Sequence, residues 1–136
     1  MANLTRRRRS RGLAAVEAAI LLPLIVLVVM AVFEYGWMLI KGQQIVGAAR
    51  EGARAAAKDG GTVGTATTAA DAVLTQVGLT APHVVAAVVG TNPGDPVTVT
   101  VTLTYGSAWS LTHFPLLPVP PTLVRSATFA KEGPLP

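Results

Sequence analysis

The sequence predicts an α+β fold in which a long N-terminal helix extends into a small antiparallel-sheet cap with a second helix. Three observations predict this fold. An uncharged, mostly apolar block occupies residues 18–33, an alanine-rich segment of helical character continues it, and the chain beyond residue 83 changes to a two-residue hydrophobic period. Helices followed by strands favour packing of the helices on one face of the sheet.

The composition indicates one small domain joined to a membrane segment. The chain has 136 residues, of which 51% are hydrophobic and 13% are charged, whereas about a quarter of the residues in soluble domains are charged. A helix in lipid explains both the high hydrophobic fraction and the low charged fraction. The absence of cysteine excludes disulfides, thiolate metal sites and cysteine nucleophiles.

The basic residues are concentrated in the first dozen positions. The net charge is +4, and five of the eleven lysines and arginines lie there without any aromatic residue. These five are Arg6, Arg7, Arg8, Arg9 and Arg11. A nucleic-acid-binding stripe normally interleaves basic and aromatic residues, so we expect no nucleic-acid partner.

The first helix must use its flanks to cross a membrane. Residues 18–33 span about 24 Å at about 1.5 Å per residue, short of a hydrocarbon core of about 30 Å. A span of residues 13–40 is long enough, and it contains both Glu17 and Glu34. The arginine cluster, opposed only by Lys41, predicts a cytoplasmic N-terminus and an extracytoplasmic C-terminal domain.

The expected organisation has four parts in chain order. They are a basic leader (1–12), a transmembrane helix (13–40), an extracytoplasmic continuation of that helix (41–60) and a small α+β domain (61–136). Gly60 and Gly61 are expected to end the first helix, and a weakly amphipathic second helix is expected to run to Gly78.

Three strands are expected in the last part. Valine, leucine and tyrosine alternate with threonine over residues 97–105, which is the clearest strand pattern in the chain. HVVAAVV is its expected hairpin partner, residues 122–132 form the expected third strand, and a proline-rich loop with Trp109 and Phe114 lies between strands two and three.

The sequence shows no pattern of catalytic or cofactor-binding residues. His83 and His113 are distant from each other and have no acidic residue spaced to orient them. The serines lack a nucleophile elbow, and no glycine-rich phosphate loop precedes a helix. We therefore expect no enzymatic activity, metal, cofactor or small-molecule substrate.

Three motifs along the first helix carry a resemblance to a known family. Gly12 follows the arginines and precedes LAAVE, which ends at Glu17; FEYG and AAREGARAA follow further along the helix. Together they resemble the TadE-like family, which comprises minor pilins or pseudopilins of the tight-adherence (Tad, or Flp) pilus, a type IV-like surface fibre. The motif residues in the two later segments are Glu34, Gly36, Arg50, Glu51, Gly52 and Arg54.

The resemblance implies a pilin-like fold and a processing step. A prepilin peptidase would cut after Gly12 and leave Leu13 as the new N-terminus. The carboxylate of Glu17 would then pair with the α-amine of a neighbouring subunit. The implied partners are the membrane, the peptidase, other pilin subunits and Tad assembly proteins, and the implied role is pilus assembly and surface adherence. The chain departs from the family at Ala18, where members often have an aromatic residue.

Two other interpretations remain open. A secretory signal cut around Val29 and Ala31 would release a binding module beginning near Val32. A single-pass membrane adaptor unrelated to pili would keep its arginines. The uncharged block exceeds the usual 7–15 residues or so of a signal's apolar region, which favours a retained helix.

Overall fold

The computed structural model describes residues 2–79, 83–104, 111 and 118–133, with side chains described from residue 13 onward. Two helices are followed by three strands, and the expected α+β fold is confirmed. The elements are α1 (Ala2–Ala57), α2 (Val63–Gln76), β1 (His83–Val89), β2 (Pro96–Thr104) and β3 (Thr122–Ala130).

Helix α1 is longer than expected, because it begins at Ala2 within the basic leader rather than near Leu13. It continues through Pro23 without interruption. None of the described side chains between residues 13 and 33 is buried. This helix is long and apolar enough to cross a membrane. Its exposed apolar surface suits lipid on all sides, since a helix that is apolar all round has no polar face to turn towards water.

The turn between the helices follows from local backbone chemistry. Helix α1 ends at Ala57, and Gly60 then adopts a positive φ of 70°, which glycine tolerates because it has no Cβ. Thr62 caps α2 by accepting a hydrogen bond from the Thr65 backbone N–H, and the Thr65 hydroxyl lies 2.9 Å from the Thr62 backbone nitrogen. The glycine stop predicted from the sequence is confirmed.

The sheet is antiparallel in the order β1-β2-β3. The predicted hairpin is confirmed by the pairing of Val89 with Val97, and the predicted third strand by the pairing of Leu103 with Leu123. One difference is that β3 ends at Ala130, before residue 132. The expected proline-rich loop, including Trp109 and Phe114, lies largely outside the described residues.

The core lies between the inner face of the sheet and the two helices. Alternate residues of β2 are buried, as the two-residue period predicts. They pack with small residues of α1 and the buried face of α2 in one cluster. The buried members from β2 and α2 are Val97, Val99, Val101, Leu103, Ala66, Ala70 and Leu74. We call this unit (α2, the sheet and their connections) the cap.

Two contacts tie the end of the sheet to the end of α1. The backbone N–H of Glu132 donates to the Ala57 carbonyl at 2.7 Å. The Lys131 ammonium donates to the Gly61 carbonyl at 2.9 Å. The C-terminal end of β3 therefore lies at the end of α1 most distant from the apolar span.

Candidate functional site

The predicted processing site lies within continuous helix. Gly12 and Leu13 are both in α1, and the Leu13 side chain is exposed. Glu17 follows one helical turn later and is also exposed on the apolar surface. Among the described residues no side chain buries this carboxylate, so its environment is set by what surrounds the helix.

The second acidic residue of the helix has a different environment. Glu34 is 1% exposed. The structure buries this side chain within its own chain. From residue 13 onward, where side chains are described, Glu34 is the first buried residue of α1, and the buried stripe continues through Ile45 to Ala57. The buried side of the helix thus extends down to Glu34.

Aromatic and basic side chains occupy the helix beside this boundary. The Tyr35 hydroxyl donates a hydrogen bond to the Pro118 carbonyl at 2.9 Å. The Lys41 ammonium lies 4.7 Å from the centroid of the Trp37 ring, within the range of a cation–π contact, and Lys41 is itself buried. Hydropathy alone showed neither the hydrogen bond nor the burial of Lys41.

The motif AAREGARAA separates into two faces of α1. Its alanines at 48, 49, 53 and 56 are buried with Gly52, and its charged residues are exposed. The exposed residues are Arg50, Glu51 and Arg54. The small residues let the cap approach the helix closely, and the charged residues keep the opposite face in water.

Gly52 is where the cap approaches α1 most tightly among the family-motif glycines. A Cβ at this position would lie 2.8 Å from the Ala66 carbonyl oxygen, 3.1 Å from the Ala70 Cβ and 3.3 Å from a Val99 methyl. Two of these neighbours belong to α2 and one to β2. The other motif glycine, Gly36, has no atom within 4 Å of such a Cβ. Gly52 is therefore a packing position, which the sequence did not indicate.

One histidine has an acidic neighbour that the sequence did not predict. The Nε2 atom of His83 lies 3.0 Å from an Asp71 carboxylate oxygen, which joins the start of β1 to α2. The expectation that no acid orients this histidine is therefore wrong, because the two residues meet only through the fold. His113 lies outside the described residues. Within the described part of the chain, no three potential ligands cluster to hold a metal ion.

Comparison with known proteins matches the part of the chain that carries the three motifs of α1. The family model described as TadE-like protein matches residues 12–54. No curated protein and no solved structure matches the chain. The matched segment starts at Gly12, contains the exposed apolar span and ends within the packing stripe of α1. The resemblance predicted from the three motifs is confirmed: over residues 12–54 the chain is similar to the TadE-like family.

Proposed function

We propose that this protein is a minor pilin or pseudopilin of a Tad (Flp) pilus that acts in pilus assembly and surface adherence. The TadE-like match is the observation that carries the proposal, since it suggests an association with the Tad pilus. An exposed apolar helix followed by a packed cap supports it, because a subunit assembled from the membrane needs both an anchor and an extracytoplasmic domain.

In this proposal the membrane span comprises residues 13–33. These residues form a helix of about 31 Å at about 1.5 Å per residue, close to the hydrocarbon thickness of about 30 Å. Burial of Glu34 in the folded chain supports a boundary here, earlier than residue 40. The arginines of the leader support a cytoplasmic N-terminus, and the cap is then extracytoplasmic.

Processing after Gly12 is the first step that we propose. Before the cut, the basic leader holds the subunit at the cytoplasmic surface. The scissile bond lies inside α1, so the peptidase must unwind a turn to reach it. Glycine in a helix interior lowers helix stability by about 1 kcal/mol relative to alanine, which reduces the cost of unwinding, and it presents no side chain just before the cut.

Cleavage creates the charge that Glu17 needs. The new α-amine of Leu13 is positive at the head of a membrane helix, and Glu17 is exposed on the same surface one turn later. A charged side chain at the centre of a bilayer costs about 2.5–3.5 kcal/mol or more. Pairing Glu17 with the amine of a neighbouring subunit removes two unpaired charges from lipid and favours one stacking register.

The N-terminus of the protein in the membrane fraction tests the proposal. Pilin processing predicts a chain that begins at Leu13. Release by signal peptidase predicts a secreted chain that begins near Val32, and a membrane adaptor unrelated to pili keeps its arginines. N-terminal sequencing with intact-mass analysis distinguishes the three, and either of the last two results contradicts the proposal.

Gly12→Leu is expected to block removal of the leader. The added side chain occupies the position before the cut, and the helix becomes more stable because leucine has a higher helix propensity than glycine. The measurement is the intact mass of the variant recovered from membranes. Ala19→Leu is the control, because it places the same side chain on the exposed surface of the span and should be processed normally. Loss of the leader in Gly12→Leu would disprove this role of Gly12.

A further inference from the structure

An apolar groove lies on α1 where the proposed span ends. It has a volume of about 230 Å³ and is open to the surroundings. One residue of the groove, Leu111, comes from the connection between β2 and β3, and the others belong to α1. The lining residues are Val32, Phe33, Gly36, Trp37, Ile40 and Leu111.

The groove is a continuation of the lipid-facing surface rather than part of the cap core. Val32 is 67% exposed and Leu111 is 50% exposed. At about 100° per residue, Val32, Gly36 and Ile40 lie about 120–160° round the helix from Glu34 in the buried stripe, and Trp37 lies between the groove and that stripe. The exposed apolar surface of residues 13–33 therefore runs into the groove without a charged residue between them.

The position of the groove along the helix agrees with the surface layer of a bilayer. Val32 to Ile40 covers about 12 Å of helix, so the groove begins at the end of the hydrocarbon core and extends through the interfacial layer, which is about 5–8 Å thick on each side. Tyr35 and Trp37 lie in this interval, where tyrosine and tryptophan are enriched in membrane proteins. The cation of Lys41 lies over the Trp37 ring, one turn further from the span.

The groove forms at Gly36, which has no side chain to fill it. A Cβ at this position would meet no atom of the described residues within 4 Å, so their packing does not require a glycine here. Its missing side chain leaves a gap between Phe33 and Ile40, with Leu111 at the margin. Exposing such a groove to water would be unfavourable by roughly 25 cal/mol per Å² of apolar surface.

We infer that this groove is a lipid-contact site, occupied by the glycerol-proximal ends of phospholipid acyl chains at the outer surface of the membrane, and that Leu111 anchors the cap there. The inference rests on the proposed membrane insertion of α1. Continuity of the groove with the span identifies the occupant, because the apolar surface that meets it from below is already in contact with lipid. The cap is thereby held against the bilayer at a second point, beyond α1 itself.

Site-specific fluorescent labelling tests this inference, and the cysteine-free sequence makes it straightforward. Leu111→Cys is labelled with a nitrobenzoxadiazole fluorophore in the full chain, reconstituted in phosphatidylethanolamine and phosphatidylglycerol vesicles. The vesicles also contain lipids with a nitroxide on one acyl chain, placed near the glycerol end in one preparation and near the methyl end in a second. Leu22→Cys, in the exposed span, is the lipid reference, and Val88→Cys, on the outer face of the sheet at its distal end, is the water reference.

We expect the lipid nitroxide to quench the Leu111 label several-fold more than the Val88 label, and aqueous iodide to show the opposite order. Water-like behaviour of the Leu111 label with lipid-like behaviour of the Leu22 label would overturn the inference and leave membrane insertion intact. Water-like behaviour of both labels would instead contradict the proposed function. Protection of the Leu111 label from both quenchers, with self-quenching that disappears on dilution in lipid, would identify a second copy as the occupant and overturn the inference.

A second measurement avoids changing Leu111. In a Trp109→Phe variant, Trp37 is the remaining tryptophan, and phospholipids brominated near the glycerol end of the acyl chain should quench its fluorescence. Gly36→Leu should reduce this quenching by filling the groove while leaving the cap folded, because among the described residues no atom lies within 4 Å of a Cβ added at this position. Trp37 fluorescence unaffected by brominated lipid would contradict the inference.

Discussion

Glu17→Ala is expected to be processed after Gly12 but to fail to enter or support pili. Removing the carboxylate leaves the α-amine of each neighbouring Leu13 unpaired in lipid. An unpaired charge costs about 2.5–3.5 kcal/mol at the bilayer centre and less near the surface, where Leu13 and Glu17 lie, so the association at each contact between subunits weakens by up to about 70- to 400-fold. Because one assembly contains many such contacts, the expected result is loss of assembly.

Two measurements on the same cells check this result. Intact mass reports removal of the leader, and electron microscopy with quantification of sheared surface fibres reports assembly. Glu17→Gln preserves the shape of the side chain and removes its charge, so it should fail as Glu17→Ala does. Asp59→Ala removes an exposed acid outside the membrane and should assemble normally. Normal piliation in Glu17→Ala would contradict charge pairing.

Gly52→Ala is expected to destabilise the cap by about 1–3 kcal/mol, the usual cost of overpacking a close-packed core. The new Cβ would lie 2.8 Å from the Ala66 carbonyl oxygen. That oxygen belongs to the backbone of α2 and cannot move without shifting the helix. The strain should exceed the gain of about 1 kcal/mol in helix propensity when alanine replaces glycine.

Gly47→Ala is a matched control for this effect. Gly47 lies in the same helix, is exposed and has no atom within 4 Å of an added Cβ. Here only the helix propensity changes, so the variant should be more stable by about 0.5–1 kcal/mol. The free energy of unfolding is measured by urea unfolding of the full chain in detergent micelles. Amide hydrogen exchange in β2 reports the stability of the cap. Equal effects of the two substitutions would show that Gly52 is not a packing position.

The periodic parts of the fold were predictable because their signal is local. The uncharged block predicted the apolar part of α1, and the alternation around Val99 and Val101 predicted β2 with its buried face. Gly60 and Gly61 predicted the end of α1, since a positive φ depends on the residue that adopts it. The three motifs of α1 also predicted the TadE-like match, because each motif is a short continuous stretch of the sequence.

The burial and the partners of some residues could not be predicted from a local sequence pattern. Glu34 and Glu17 are both acids at the margins of one apolar block, yet Glu34 is buried in the folded chain and Glu17 is exposed. His83 and Asp71 are separated by a helix end and a connection, and they meet at 3.0 Å only because β1 packs near α2. The sequence alone did not indicate which of these residues would be buried or would contact another side chain.

The amino-acid sequence by itself determined the apolar helix, the two-residue period of the sheet and the family resemblance, because these depend on residues close together in the chain. Only the tertiary structure determined where the cap contacts the helix, why a side chain at position 52 does not fit, and that Leu111 lines the groove beside Gly36. These features depend on contacts between residues distant in sequence, whose positions are set by the packing of the whole core and not by the propensity of any one segment.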